Sequence, residues 1–463
     1  MGVGFDDLPI ELVEMILRHT TFEEDRVLFR TCRRLYQLLK PNMYRKIELR
    51  LDGSTEQALE DSKSRLVQLC RTLYQNNSNV AHLVEEVDIQ GTKPLSVLPQ
   101  LWRQEGSSEW LPRKRRWDGT LRWWRMALGK GNTDVLVAVI VSLVRNVRVL
   151  RLGYEMWSDS RFLSHVLDFA KELQTVEFLP PPSRDWDWDA HTDLYKATNA
   201  NITYDMNQLR ALVRLPQVRS ITCIIAEPMI PGRAFARLLG NVSCTDMRTL
   251  RLVKSELQQR SLGLVLQRMP LLEELVYDHW INVNTPLIMP CYFESRYMDA
   301  ALARVRGSLR VLHIALTFYS HRGTNIGRGT YWGIINTMQS LARFSNLIEL
   351  KIPGVLLLGW LAGGSAHVRL ASILPASLQR LILRVDEFDG FEYYDWTKKE
   401  LMERVRQYVN QIVEINEEAG EEIYKLKAID LELPDLSFQD DAVLRTQLLD
   451  DCEAAGIDIT IHD

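Results

Sequence analysis

The chain has 463 residues, more than one ordinary compact domain holds unless it is a repeat array. Hydrophobic residues make up 46% and charged residues 25%, which excludes wholesale disorder. A net charge of −4 removes any global electrostatic case for nucleic acid or an anionic membrane as the main partner.

The chain opens MGVGFDDLPIELVEMILRHT. Asp6, Asp7, Glu11 and Glu14 interrupt its apolar residues and no basic region precedes them, so a signal peptide is not expected. Asp7 suits a helix N-cap and Pro9 the first turn, where its missing N–H costs nothing. Leu12, Val13, Ile16 and Leu17 then recur at helical spacing and form one apolar stripe. The helix is expected to end near His19-Thr20. A second helix is predicted over 23–39, with Leu28, Cys32, Leu35, Tyr36 and Leu39 as its stripe and Pro41 as its stop. About 50 residues in two or three short helices bury little core. The excess of apolar residues therefore points to a module that completes its core on another protein.

Three segments arrive in order: Leu8-Pro9-x-Glu11-Leu12-x-x-x-Ile16-Leu17, then Leu28 with Thr31-Cys32-Arg33-Arg34-Leu35-Tyr36, then Pro41-x-Met43-Tyr44-Arg45-x-Ile47. Together they resemble an F-box, with Glu24-Asp25-Arg26-Val27 replacing the usual Asp-Leu at the start of the second helix. The resemblance implies a small all-α module over residues 1–50 that docks on Skp1 and, through it, on a cullin. It implies Leu8, Pro9, Leu12, Ile16, Leu17, Leu28, Cys32, Leu35 and Tyr36 as the Skp1-binding residues.

Residues 51–132 read as a connecting region with a first irregular repeat and a loop holding the basic run Pro112-Arg-Lys-Arg-Arg-Trp117 and Trp123-Trp124. From about residue 80 a six-residue pattern recurs, apolar-x-x-apolar-x-apolar. Its copies start at Val84, Val147, Leu173, Val218, Met247, Leu272, Leu309, Leu347, Leu378 and Leu426, with a last fragment Gly456-Ile457-Asp-Ile459. On the order of 15 such windows arise by chance in a chain this long, so period and context must decide. Successive starts cluster 25 to 31 residues apart, with longer gaps of 37 to 48 that read as inserted loops. Helix-like stretches precede several copies: Val135–Val144, Leu209–Leu215, Ala234–Leu239, Leu262–Met269 and Ile334–Phe344. A Leu-x-Leu alternation gives a short strand with one buried face, and a helix packed behind it cannot cover that face alone, so neighbouring units must stack.

This organisation resembles a degenerate leucine-rich repeat; Glu155, Pro181 and Ser255 stand where the family keeps an asparagine. The expected fold is an α/β repeat solenoid, an irregular horseshoe over residues 133–463 with inserted loops, preceded by the F-box. F-box plus irregular repeats is an arrangement of fungal-type substrate adaptors. Other inserts read as loops at Pro180–Asp189 and Gly323–Thr330. The outward residues of the repeats form a column that is expected to face a protein substrate: Arg151, Glu177, Thr222, Arg251, Val276, His313, Lys351, Ile382 and Asp430.

No HExxH, CxxC, GxSxG or Walker A sequence is present, and Gly129-Lys-Gly131 reads as a turn into a helix. The six cysteines, Cys32, Cys70, Cys223, Cys244, Cys291 and Cys452, form no metal-ligand spacing and suit a reducing compartment, cytoplasm or nucleus. No metal, cofactor or membrane partner is expected, and no catalysis. The resemblance implies a non-catalytic adaptor of a Skp1–cullin–F-box ubiquitin ligase. The alternative is a leucine-rich-repeat scaffold that acts with Skp1 outside the ligase. An enzyme on a repeat frame has no motif to support it.

Overall fold

The computed structural model describes residues 8–17, 19–20, 24, 27–28, 30–31, 33–51, 55–75, 80–91, 124, 126, 133–153, 167, 170–179, 211–225, 244–282, 291–319, 332–359, 369–384, 398–432 and 442–462. The basic run 113–116, the helix-like stretch 234–239, the loops 180–189 and 323–330, Asp7 and Cys32 lie outside them. The chain divides into two compact units, residues 1–183 and 184–463.

The first unit starts with α1 (Ile10–Leu17). The Pro9 carbonyl accepts the N–H groups of Leu12 and Val13, both at 3.2 Å, so the proline begins the helix as its fixed φ favours. The predicted second helix is divided. Glu24, Val27 and Leu28 are helical, Arg30 and Thr31 form a turn, and α2 runs over Arg33–Arg45. The turn is held by N–H groups of Arg30 and Thr31 on the carbonyls of Val27 and Leu28, both at 3.0 Å, and by the Thr31 hydroxyl on Leu28 at 2.7 Å. Pro41 lies inside α2 and does not stop it. Pro41 and Gln37 are both exposed, so water can satisfy the carbonyl four residues back that the ring leaves without a donor.

The rest of the first unit alternates helix and strand. β1 (Lys46–Leu51) follows α2 directly, then come α3 (Glu56–Gln75), a 3₁₀ turn (Ala81–Leu83) and β2 (Glu86–Gly91). Next are α4 (Thr133–Leu143), β3 (Val149–Gly153) and β4 (Thr175–Leu179). The strands lie in chain order, β1-β2-β3-β4, all parallel. Val135 to Val141 of α4 are buried without a break, which is why this helix reads as an unbroken apolar run.

In the second unit the strands are β5 (Ser220–Cys223), β6 (Thr249–Ser255), β7 (Glu274–Asn282), β8 (Cys291–Glu294), β9 (Val311–Tyr319), β10 (Trp332–Ile335), β11 (Glu349–Pro353), β12 (Arg380–Arg384), β13 (Ala428–Glu432) and β14 (Asp458–His462). Its helices are α5 (Gln259–Leu266), α6 (Ser295–Leu302), α7 (Gly354–Leu358), α8 (Leu370–Ile373), α9 (Lys398–Ala419) and α10 (Ala442–Ala454). The main sheet runs β5-β6-β7-β9-β11-β12-β13-β14 in parallel, and β8 and β10 form a separate parallel pair. The architecture is α/β, parallel strands with helices in their connections, and is compatible with a repeat solenoid.

Each predicted six-residue pattern falls on a strand and its approach. First, fourth and sixth positions are buried throughout: Leu272, Leu275 and Tyr277, for example, or Leu347, Leu350 and Ile352. The residue just before the strand locks most of these pairings. Its carbonyl accepts two successive N–H groups from the next unit, as Arg248 does from Glu273 (2.8 Å) and Glu274 (2.9 Å), and Arg310 from Ile348 (2.8 Å) and Glu349 (3.1 Å). Parallel strands cannot slip by one residue without turning their apolar side chains to solvent.

One expected helix is absent. The stretch 334–344 holds the end of β10 and a 3₁₀ turn (Leu341–Arg343). Asn336, at φ +65°, breaks the run, and β-branched Ile334 and Ile335 take a partner in β8.

Candidate functional site

The N-terminal helices carry the clearest exposed apolar surface. Their own core is small: Val13, Leu35 and Leu39 are buried, and Leu8, Leu28, Leu38 and Met43 pack against them. Arg34 closes the pair by donating to the Leu8 carbonyl at 2.5 Å. Outside this core, Ile10 (46% exposed), Leu12 (44%), Met15 (56%), Ile16 (39%), Val27 (65%) and Tyr36 (39%) face solvent. Leu12, Met15 and Ile16, at helical spacing, share one face of α1.

The nine residues expected to bind Skp1 thus divide by role. Leu8, Leu28 and Leu35 serve the module's own core, whereas Pro9, Leu12, Ile16 and Tyr36 are exposed. The Leu17 side chain and Cys32 lie outside the described residues. Ile10, Met15 and Val27 were not singled out from sequence. Their signal was present, since α1 has only two polar residues among eight and so has apolar side chains on more than one face.

The predicted outward column is a set of register rows. In the first unit Glu48, Asp88, Arg151 and Glu177 align across β1 to β4. Arg50 reaches Glu48 (3.0 Å) and Asp88 (3.4 Å), and Arg151 is held between Glu177 (2.8 Å) and Glu86. Lys46, hydrogen-bonded to Glu48 at 3.0 Å, holds that carboxyl below its usual range. Glu48 and Asp88 join the row although the sequence reading did not choose them.

In the second unit Thr222, Arg251, Val276, His313, Lys351, Ile382 and Asp430 align in one row that continues to Thr460. Its charges are paired with side chains of other strands. Arg251 donates to Glu274 (2.8 Å), Lys351 to Glu432 (2.5 Å), and Arg380 to Asp430 (2.8 Å); His313 lies 2.7 Å from Glu349. Ile382 and Asp430 are 7% and 8% exposed, so these two offer little surface. The Lys351–Glu432 pair spans β12, whose Ile382 lies between β11 and β13 in the register.

At the far end of this face β6 carries a bulge. The register shifts between Leu252 and Ser255, with Lys254 at φ +47°. The Lys254 N–H and the Trp280 indole donate to the two oxygens of Asp278, at 3.0 and 3.1 Å, and the Lys254 ammonium sits 5.3 Å from the Trp280 ring. Burial pushes the Asp278 carboxyl up and the Lys254 amine down.

Among the described residues no group of three His, Cys, Asp or Glu is placed to hold a metal ion. Burial pushes the Cys244 and Cys452 thiols up to about 11, and Cys70 up as well, which leaves all three protonated at neutral pH. Among the described residues no helix is long and apolar enough to cross a membrane.

The fold and these surfaces define an α/β protein of helix–strand units with an apolar helical surface at its N-terminus. No family model matches the sequence, and no curated protein matches it. Among solved structures, a crystal structure of a Rad7 and Elc1 complex from yeast is similar at 12% identity, over 95% of this chain and 97% of that one, with a TM-score of 0.32. A likeness that loose carries no argument about function.

Proposed function

We propose that the chain is a non-catalytic, cytoplasmic or nuclear substrate-recognition adaptor of a Skp1–cullin–F-box ubiquitin ligase. The N-terminal helices act as the F-box and dock on a Skp1-like protein; the strand-bearing units bind the protein to be ubiquitylated. The observation that carries this reading is the solvent-facing Leu12, Met15, Ile16 and Tyr36 on helices whose core, among the described residues, is Val13, Leu35 and Leu39 with Leu8, Leu28, Leu38 and Met43 packed against it. Burying one such side chain is worth roughly 1.5–3 kcal/mol, so a helical module this small is stabilised by a partner that covers them. The adaptor's contribution is proximity: it raises the effective concentration of a substrate lysine beside the charged conjugating enzyme.

The test is affinity purification of the tagged chain beside a Leu12→Asp/Ile16→Asp variant. A Skp1-like protein and a cullin are expected with the first and absent from the second, because each lost anchor costs ~2 kcal/mol or more. The melting temperature should not move, since both residues are exposed. Retention of both partners by the variant sinks the assignment. Capture of the Skp1-like protein without cullin selects the scaffold reading.

A further inference from the structure

A polar groove of about 480 Å³ opens in the second unit at the ends where the parallel strands begin. Arg248, Glu273, Arg310, Asn346, Gln379 and Lys425 are among its lining residues, three cations to one carboxylate. Glu273 is already engaged, 3.3 Å from Arg248. Arg248 is also anchored on backbone, donating to the Thr245 and Leu271 carbonyls at 3.2 Å each. Arg310 and Lys425 are exposed, and among the described residues no carboxylate lies within ion-pair distance of either. The local backbone N–H groups are consumed by the doubled bonds onto Arg248, Glu273, Arg310 and Ile348, so the recognition chemistry of the groove rests on side chains. Two further cations, Arg219 and Lys427, continue the row just before the strands.

We infer that this groove binds an acidic segment of a partner protein, laid in extended form across the strand ends. Charge complementarity selects the occupant: the Arg310 guanidinium and Lys425 ammonium, with the Gln379 amide between them, match carboxylates, and guanidinium takes carboxylate bidentately; the Asn346 amide already donates to the Gly307 carbonyl at 2.7 Å. Spacing fixes the pattern. Arg248 and Arg310 lie two strands apart, and Lys425 approaches β13, three strands beyond β9. At ~4.8 Å per strand these steps are roughly 10 and 14 Å, which an extended chain covers in about three and four residues. The fitting segment carries acids at positions i, i+3 and i+7. The inference rests on the groove alone and not on the adaptor reading; the N-terminal helices play no part in it.

The test is fluorescence anisotropy of the full-length chain with a labelled peptide bearing Asp or Glu at i, i+3 and i+7, beside the same peptide with Asn and Gln. The acidic peptide is expected to bind, more weakly as salt rises, and the neutral one is not. Arg310→Gln/Lys425→Gln is expected to weaken binding about tenfold or more. Arg304→Gln/Arg343→Gln, which removes the same charge from exposed positions outside the lining, is expected to leave it intact. Equal affinity in the groove variant, equal loss in the control variant, equal binding of the neutral peptide, or tighter binding of a single-stranded oligonucleotide each overturns the inference. Should the groove variant lower the melting temperature, Glu273→Gln is read instead. Removal of the groove's carboxylate must tighten the acidic peptide, and unchanged or weaker binding overturns the inference.

Discussion

His279 carries the sharpest consequence at the scale of a residue. It is 4% exposed, stacks on Tyr277 with centroids 5.0 Å apart, and its Nδ1–H donates to the Ser255 carbonyl at 3.0 Å. Burial pushes the imidazole from 6.5 down to about 4. The unfolded chain therefore binds more protons between those values; this share of stability is complete above pH 6.5 and lost as pH falls toward 4. Urea unfolding should lose about 2 kcal/mol from this residue between about pH 7.5 and about pH 5. His279→Phe should remove that share of the slope, and an identical slope in both proteins would show the ring to be accessible. Val13 is the structural counterpart to Leu12. It is 0% exposed, and Val13→Ala should weaken the helical pair by about 2 kcal/mol, visible as faster amide exchange in α1 and α2.

Among the elements, the C-terminal helix–strand unit shows how a connection is set. α10 ends on Gly456, at φ +67°, which lets the chain reverse so that the Ile457 N–H reaches the Cys452 carbonyl at 2.9 Å. Gly456→Ala should cost about 1 kcal/mol and loosen β14 first, read as increased exchange of the Asp458–His462 amides. The partner helix α9 holds α10 through Arg406, which donates to Asp451 at 2.6 Å and Gln447 at 2.7 Å. Strands that carry the six-residue pattern were legible in the sequence because its first, fourth and sixth positions are buried, and the alternation Leu250-Arg251-Leu252 records it directly. Helices were less so. α9 and α10 follow long inserted stretches that broke the repeat spacing, and β10 shares its apolar content with a helix, so only Asn336 and the pairing with β8 distinguish it.

For the whole molecule, a chain that divides into two compact units is expected to show more than one unfolding transition. Calorimetry should give a calorimetric enthalpy above the van't Hoff value, and a ratio of one would show a single cooperative body. Strand-by-strand stacking also makes each unit's stability a sum over neighbouring interfaces. Leu250→Ala, in the buried interior of β6, should cost about 2–5 kcal/mol and act on β5 and β7 more than on β14.

The sequence by itself determined where ten of the strands run, β2 to β7, β9 and β11 to β13, which of their side chains at the first, fourth and sixth positions of the pattern are buried, and that the N-terminal helices hold more apolar residues than they can enclose; β1, β8 and β10 carry no such pattern. Those facts follow from local periodicity, which each unit must satisfy before it can stack. Tertiary structure alone separated Leu35, in the core, from Tyr36, on the surface, since both lie on one stripe and only packing tells them apart. It also changed the substrate column. Alignment of Arg251, His313, Lys351 and Asp430 followed from the shared repeat phase. Their pairing with Glu274, Glu349, Glu432 and Arg380 required the strand order and register, because those partners lie 23 to 81 residues away. The groove at Arg310 and Lys425 had no sequence signature for the same reason: its charges come from different helix–strand repeats of the second unit and meet only when parallel strands bring their starting ends together.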